Sequence, residues 1–99
     1  MLGRNLLDTY LSMRDAGFVN SKRQFARIWL RRGKTYLRDF EHRPERLDLR
    51  VADRTVAALR GRLIAVAALS SKPVADRIDR IVADIDSACR VSEWIWRGR

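Results

Sequence analysis

Apolar side chains recur along most of the chain at intervals of three and four. No run of five or more residues alternates polar with apolar, so the pattern predicts helices and gives strands little support. A first helix is expected over residues 2–16, with Leu6, Leu7, Tyr10, Leu11 and Met13 forming its apolar side. Gly17 suits a left-handed cap at its end, after which Phe18 and Val19 should tuck inward. Ser21-Lys22-Arg23-Gln24 has the capping-box pattern, in which the Ser and Gln side chains satisfy each other's backbone donors. It should open a short second helix carrying Phe25, Ala26, Ile28, Trp29 and Leu30, with Trp29 in the core. Arg31-Arg32-Gly33 breaks the period. Gly33 is then the expected N-cap of a third helix over residues 34–42, with Tyr36, Leu37 and Phe40 inward, and Pro44 ends it.

From Asp48, a candidate N-cap, Ala52, Val56, Leu59, Leu63 and Val66 run in steps of four and three, flanked by Ala57, Ile64 and Ala67. Ser70-Ser71-Lys72-Pro73 turns the chain into a fifth helix reaching about residue 96. Val74, Ile78, Ile81, Ile85, Ala88 and Ile95 keep the same rhythm there, broken once at Ser92. Asp76/Arg80 and Asp86/Arg90 lie one turn apart on its outer side and are expected to pair. The expected architecture is all-α, a single domain over residues 1–99. It divides into a helix-turn-helix head of three short helices (1–47) and a long two-helix hairpin (48–99). The apolar seams of the hairpin can either close on each other or serve as a dimerisation arm.

A chain of 99 residues with 46% apolar and 33% charged side chains suits one ordered domain. The single cysteine, Cys89, precludes an internal disulfide and is expected to pack as a small apolar group. His42 is the only histidine, and no Cys, His or carboxylate cluster has metal-ligand spacing, so neither metal nor other cofactor is expected. Asp76, Asp79, Asp84 and Asp86 alternate with arginines as a solvated helix face does, with no accompanying base or phosphate loop; no enzyme is expected. The longest uncharged apolar stretch, residues 63–71, falls short of the ~20 residues a membrane-spanning helix needs. Arg4, Asp8, Arg14 and Asp15 interrupt any export signal, which makes the expected location cytoplasmic.

Charge changes the picture most. The net charge is +9, with 21 Lys and Arg against 12 Asp and Glu. Between residues 16 and 38 every charged residue is basic: Lys22, Arg23, Arg27, Arg31, Arg32, Lys34 and Arg38. Residues 39–99 are close to balance, whereas a genome-wide drift toward arginine codons would scatter the excess. Such a block favours a polyanionic partner. The strongly apolar exposed stripe that a membrane-surface helix needs is not evident opposite it.

Phe25-Ala26-Arg27-Ile28-Trp29-Leu30, followed by Gly33-Lys34-Thr35-Tyr36-Leu37 and Phe40-Glu41, resembles the phage-repressor (lambda-repressor-like) class of helix-turn-helix proteins. It is similar also to a group of small uncharacterised bacterial proteins of that type, with a Phe-Ser/Ala, Trp-Leu, Ser/Thr-Tyr pattern. Ala26 matches the small residue that lets the motif helices approach, and Phe40 the apolar residue late in the second of them. The chain departs from the pattern at Arg31, where glycine is usual, and its turn is one residue longer.

The resemblance implies that the third helix reads double-stranded DNA. Lys34, Thr35, Arg38 and either Asp39 or His42 would then face base edges. Arg38 would address guanine and Thr35 a thymine methyl, although Arg38 can equally pair on the surface with its neighbours Asp39 or His42. Lys22, Arg23, Arg27, Arg31 and Arg32, at helix starts and turns, suit phosphates. The expected function is a small DNA-binding transcriptional regulator, working as a homodimer through its C-terminal helices. The alternative is a protein-interaction adaptor using the hairpin and its Trp94/Trp96 end. Those two side chains cannot share one helix face, so at least one is exposed or covered by something beyond the helix, fraying at the chain end being the other option.

Overall fold

The computed structural model describes residues 1–97, with side chains through Trp94. The chain is all-α: α1 (Gly3–Asp15), α2 (Lys22–Gln24), α3 (Arg38–His42), α4 (Asp53–Ala68) and α5 (Lys72–Arg97). The one extended pairing among the described residues is an antiparallel bridge between Leu2 and Arg50. Helix α1 buries Leu6, Tyr10 and Met13 and leaves Leu11 exposed. It ends as Gly17 predicts. Gly17 sits at φ +83°, its N–H donates to Arg14 O (3.0 Å), and Phe18 N–H reaches Met13 O (2.9 Å), so two carbonyls of the last turn are satisfied.

The Ser21 hydroxyl accepts from Gln24 N–H (3.1 Å) as expected, but Gln24 Oε1 accepts from Asn20 N–H (2.7 Å) rather than from Ser21. Helix α2 then widens into a π-helical segment, Phe25–Trp29, in which Leu30 N–H donates to Phe25 O (3.1 Å). The wider turn carries Phe25, Ala26, Trp29 and Leu30 inward together. Ile28, expected among the apolar set, is left exposed. Arg31 follows in the left-handed region (φ 55°), and Arg32 N–H closes onto Ala26 O at 2.8 Å. The chain thus makes the glycine-type turn with an arginine.

The third helix is shorter than the expected 34–42. Residues 34–37 form turns, with Tyr36 N–H on Gly33 O (3.0 Å), and α3 proper begins at Arg38; Gly33 caps no helix. Leu37 is fully buried, the Tyr36 ring meets Phe40 edge-on (5.6 Å, 88°), and Arg32 stacks on Tyr36 at 4.9 Å. Asp48 does not open α4. It closes a 3-10 turn, Pro44–Asp48, and its carboxylate pairs with Arg4 of α1. Residues 49–51 instead run beside the chain start, with Gly3 N–H on Leu49 O (3.0 Å) and Val51 N–H on Met1 O (2.9 Å).

Helices α4 and α5 pack along each other, and α5 also meets α1. The seams therefore close within the chain: Val56, Leu59 and Leu63 of α4 and Ile78, Ile81 and Ile85 of α5 are buried, while Ile64 stays exposed. Ser92, which interrupts the seam, is buried with its hydroxyl donating to Cys89 O (3.1 Å), and Cys89 is half-buried. Asp86 pairs across the hairpin with Arg60 (2.8 and 3.1 Å) rather than with Arg90. No Asp76–Arg80 ion pair forms among the described residues. Trp94 is 77% exposed; the side chains of Ile95 and Trp96 lie outside those described.

Candidate functional site

The capped start of α2 and the turn before α3 bring five of the eight candidates into one open cleft. Lys22 and Arg23 come from α2, Lys34 and Thr35 from the turn, and Arg38 from the first position of α3. The cleft has a volume of about 610 Å³. Arg23, Lys34, Thr35 and Arg38 are exposed in it. Lys22 is not a free cation, because its ammonium pairs with the Glu41 carboxylate of α3. That hydrogen bond holds the Glu41 carboxyl below its ordinary value of 4.5.

Arg27 lies in an adjoining cleft of about 500 Å³ with Gln24 and Ile28, which shares Ser21 and Arg23 with the first. Arg31 and Arg32 are placed elsewhere, lining a third cleft of about 350 Å³ against Arg54, Thr55 and Ala58 of α4. It shares no lining residue with the first two. The eight candidates thus form two basic groups on one head.

Asp39 and His42 separate in the same way. Asp39 is half-buried and faces Arg46 at 3.9 Å, whereas His42 is exposed at the end of α3. Arg38 pairs with neither. Among the described residues Arg23, Arg27, Arg31, Lys34 and Arg38 make no ion pair. Arg38 shares its cleft with the Glu41 carboxylate, which it helps to hold ionised, whereas exposed cations with no carboxylate nearby keep their field for an incoming anion.

Sequence reasoning missed Arg54 and Arg62. Arg54, Ala58 and Arg62 recur every four residues, a signal available in the chain, but their nearness to Arg31 depends on how α4 packs under the head. Arg62 covers the Trp29 ring at 5.8 Å, beside a second α4 cleft that also contains Arg31. Among the described residues no group of three or more His, Cys, Asp or Glu is arranged to hold a metal ion. No helix there is long and apolar enough to cross a membrane. Compared with known protein families, curated proteins and solved structures, the chain matches none.

Proposed function

We propose that this chain binds double-stranded DNA through α2, the turn after it and α3, and acts as a small transcriptional regulator. The observation that carries the reading is the cleft in which Arg23, Lys34, Thr35 and Arg38 stand exposed together, with Arg27 next to it; its one carboxylate, Glu41, is held by Lys22, and among the described residues none of these four cations makes an ion pair. The motif resemblance of residues 25–41 supports it.

In this reading Arg38 addresses guanine from the start of α3, where helix-turn-helix proteins make their base contacts, and Thr35 lies beside it. Helix α3 has five residues. At ~1.5 Å of rise per residue that spans roughly two base-pair steps of ~3.4 Å, so few bases are read and backbone contacts dominate. Arg23, Arg27, Arg31 and Arg32 take phosphates, and counterion release makes the affinity fall steeply with salt.

Fluorescence anisotropy of a labelled duplex, read at about 50 and 200 mM salt, tests this. Binding at the lower salt that weakens sharply at the higher is expected, together with a loss of about tenfold in Arg38→Ala and, in that variant, indifference to the one base substitution that weakens the wild type. Absence of duplex binding at the lower salt overturns the proposal.

A second reading, protein interaction through the hairpin with a homodimer as its simplest form, draws on Val91 and Trp94, which are exposed near the end of α5. Light scattering of the full chain and of Trp94→Ala tests it. A dimer that the substitution dissociates favours this reading, and a monomer at all concentrations removes its homodimer form.

A further inference from the structure

We propose that the cleft between the Leu30–Arg32 turn and the first turn of α4 is an oxyanion site, holding one phosphate group between Arg31, Arg32 and Arg54. Three arginines line it, with Leu30, Thr55 and Ala58, and no acidic residue does; the Arg32 guanidinium rests on the Tyr36 ring, which leaves its N–H edges free to turn toward an anion. The nearest acid in sequence, Asp53, is drawn to Arg50 at 3.5 Å. A guanidinium offers paired N–H donors matched to phosphate oxygens, so three around one cleft can saturate a tetrahedral anion.

The backbone favours the same ligand. Helix α4 is sixteen residues long, and its N-cap, Ala52, has no side chain able to cap it. Thr55 and Val56 N–H groups close on Ala52 O (2.9 and 3.2 Å), which leaves the Asp53 and Arg54 amides outside the helical ladder at the positive end of the dipole.

Thr55 supplies an independent observation. It lines this cleft at 1% exposure, and its hydroxyl has no hydrogen-bond partner among the described residues. A buried orphan hydroxyl is costly, and once turned toward the cleft it would find in an oxyanion the acceptor it lacks. Threonine in a helix divides between two χ1 rotamers, so rotation about χ1 turns the hydroxyl without moving the backbone.

The inference deepens the phosphate role given above to Arg31 and Arg32, and only its nucleic-acid arm rests on the duplex reading. The phosphate can belong to a nucleic-acid backbone or be free in solution. Inorganic phosphate is therefore titrated into the ¹⁵N-labelled full chain, with chloride at matched ionic strength as the control. Saturable shifts at the amides of residues 31, 32 and 53–55 with phosphate alone are expected. Arg54→Ala should weaken them about tenfold, Arg54→Lys should recover part of the loss, and Thr55→Val should weaken binding while keeping the fold. Shifts that follow chloride equally, or that survive Arg54→Ala unchanged, overturn the site.

In the second arm, Arg54→Ala lowers the slope of log Kobs against log salt for a duplex by about 1 if the phosphate is the nucleic-acid backbone's. An unchanged slope beside lost inorganic phosphate binding assigns the site to free phosphate. Phosphate binding without any duplex binding sinks the regulator reading and leaves this site standing.

Discussion

The head and the hairpin are both helical and arginine-rich, yet they handle charge and backbone in opposite ways. In the hairpin, two long helices run regularly, α5 alternates aspartate with arginine along its outer side, and Asp86 grips Arg60 of α4. In the head, the two helices after α1 are short, one widens into a π turn, and an arginine occupies a left-handed position, while among the described residues five exposed cations make no ion pair. The contrast teaches that arginine content alone does not leave positive charge uncompensated; what matters is whether a carboxylate is packed against each cation. It also shows where backbone strain was accepted, namely beside the unpaired charges.

The largest expected effect probes how the head itself is held together. A methyl group on Gly3 would overlap the Arg46 carbonyl oxygen and the Phe40 ring, so α1 could not lie as close to the 3-10 turn and α3. Gly3→Ala should therefore cost about 3 kcal/mol in a denaturant titration, and an unchanged midpoint would mean that this close approach is dispensable.

The next two substitutions set the regions against each other. Arg31→Gly relieves the left-handed backbone and should raise stability by about 1 kcal/mol, while weakening duplex and phosphate binding. If binding is untouched, the strained arginine serves no anion. In the hairpin the logic reverses: a methyl group on Gly61 meets nothing within 4 Å, so Gly61→Ala should stabilise α4 by ~1 kcal/mol. A loss of stability there would show that the α4 face is packed by something the chain itself does not contribute.

The smallest effect concerns the ion pair. Hydrogen bonds from Arg60 hold the Asp86 carboxyl below its ordinary 3.8. A depressed carboxyl pKa adds stability that is present above 3.8 and disappears as pH falls through the lowered value. Thermal melts of the wild type and Asp86→Asn should thus differ slightly at neutral pH and converge under strongly acidic conditions. The pair is largely solvent-screened, so a large difference would mean that it organises the hairpin.

Much of the helical layout was legible in residue order. The α1 stripe, its glycine stop and the span of α5 followed from periodicity and caps, because these are local geometries encoded over one or two turns. Three boundaries were not. The π widening at 25–29, the turn at 34–37 and the late start of α4 arise where burial of Phe25, Trp29 and Leu37 and the Arg4–Asp48 pair overrule weak local preference. The candidate site was legible as a list of cations, but not as two groups. Lys22 was lost to Glu41, and Arg54 joined Arg31 and Arg32, because both outcomes depend on residues more than eighteen positions apart.

Residue order alone was enough to establish an all-α chain with a basic, acid-free segment over residues 16–38, since periodicity and charge density are read along the chain. Which cations keep their charge unpaired, which hydroxyl stays without a partner and which faces of α4 and α5 close on each other were settled by packing. Those properties depend on distances between side chains far apart in sequence, and such distances exist only once the helices have met.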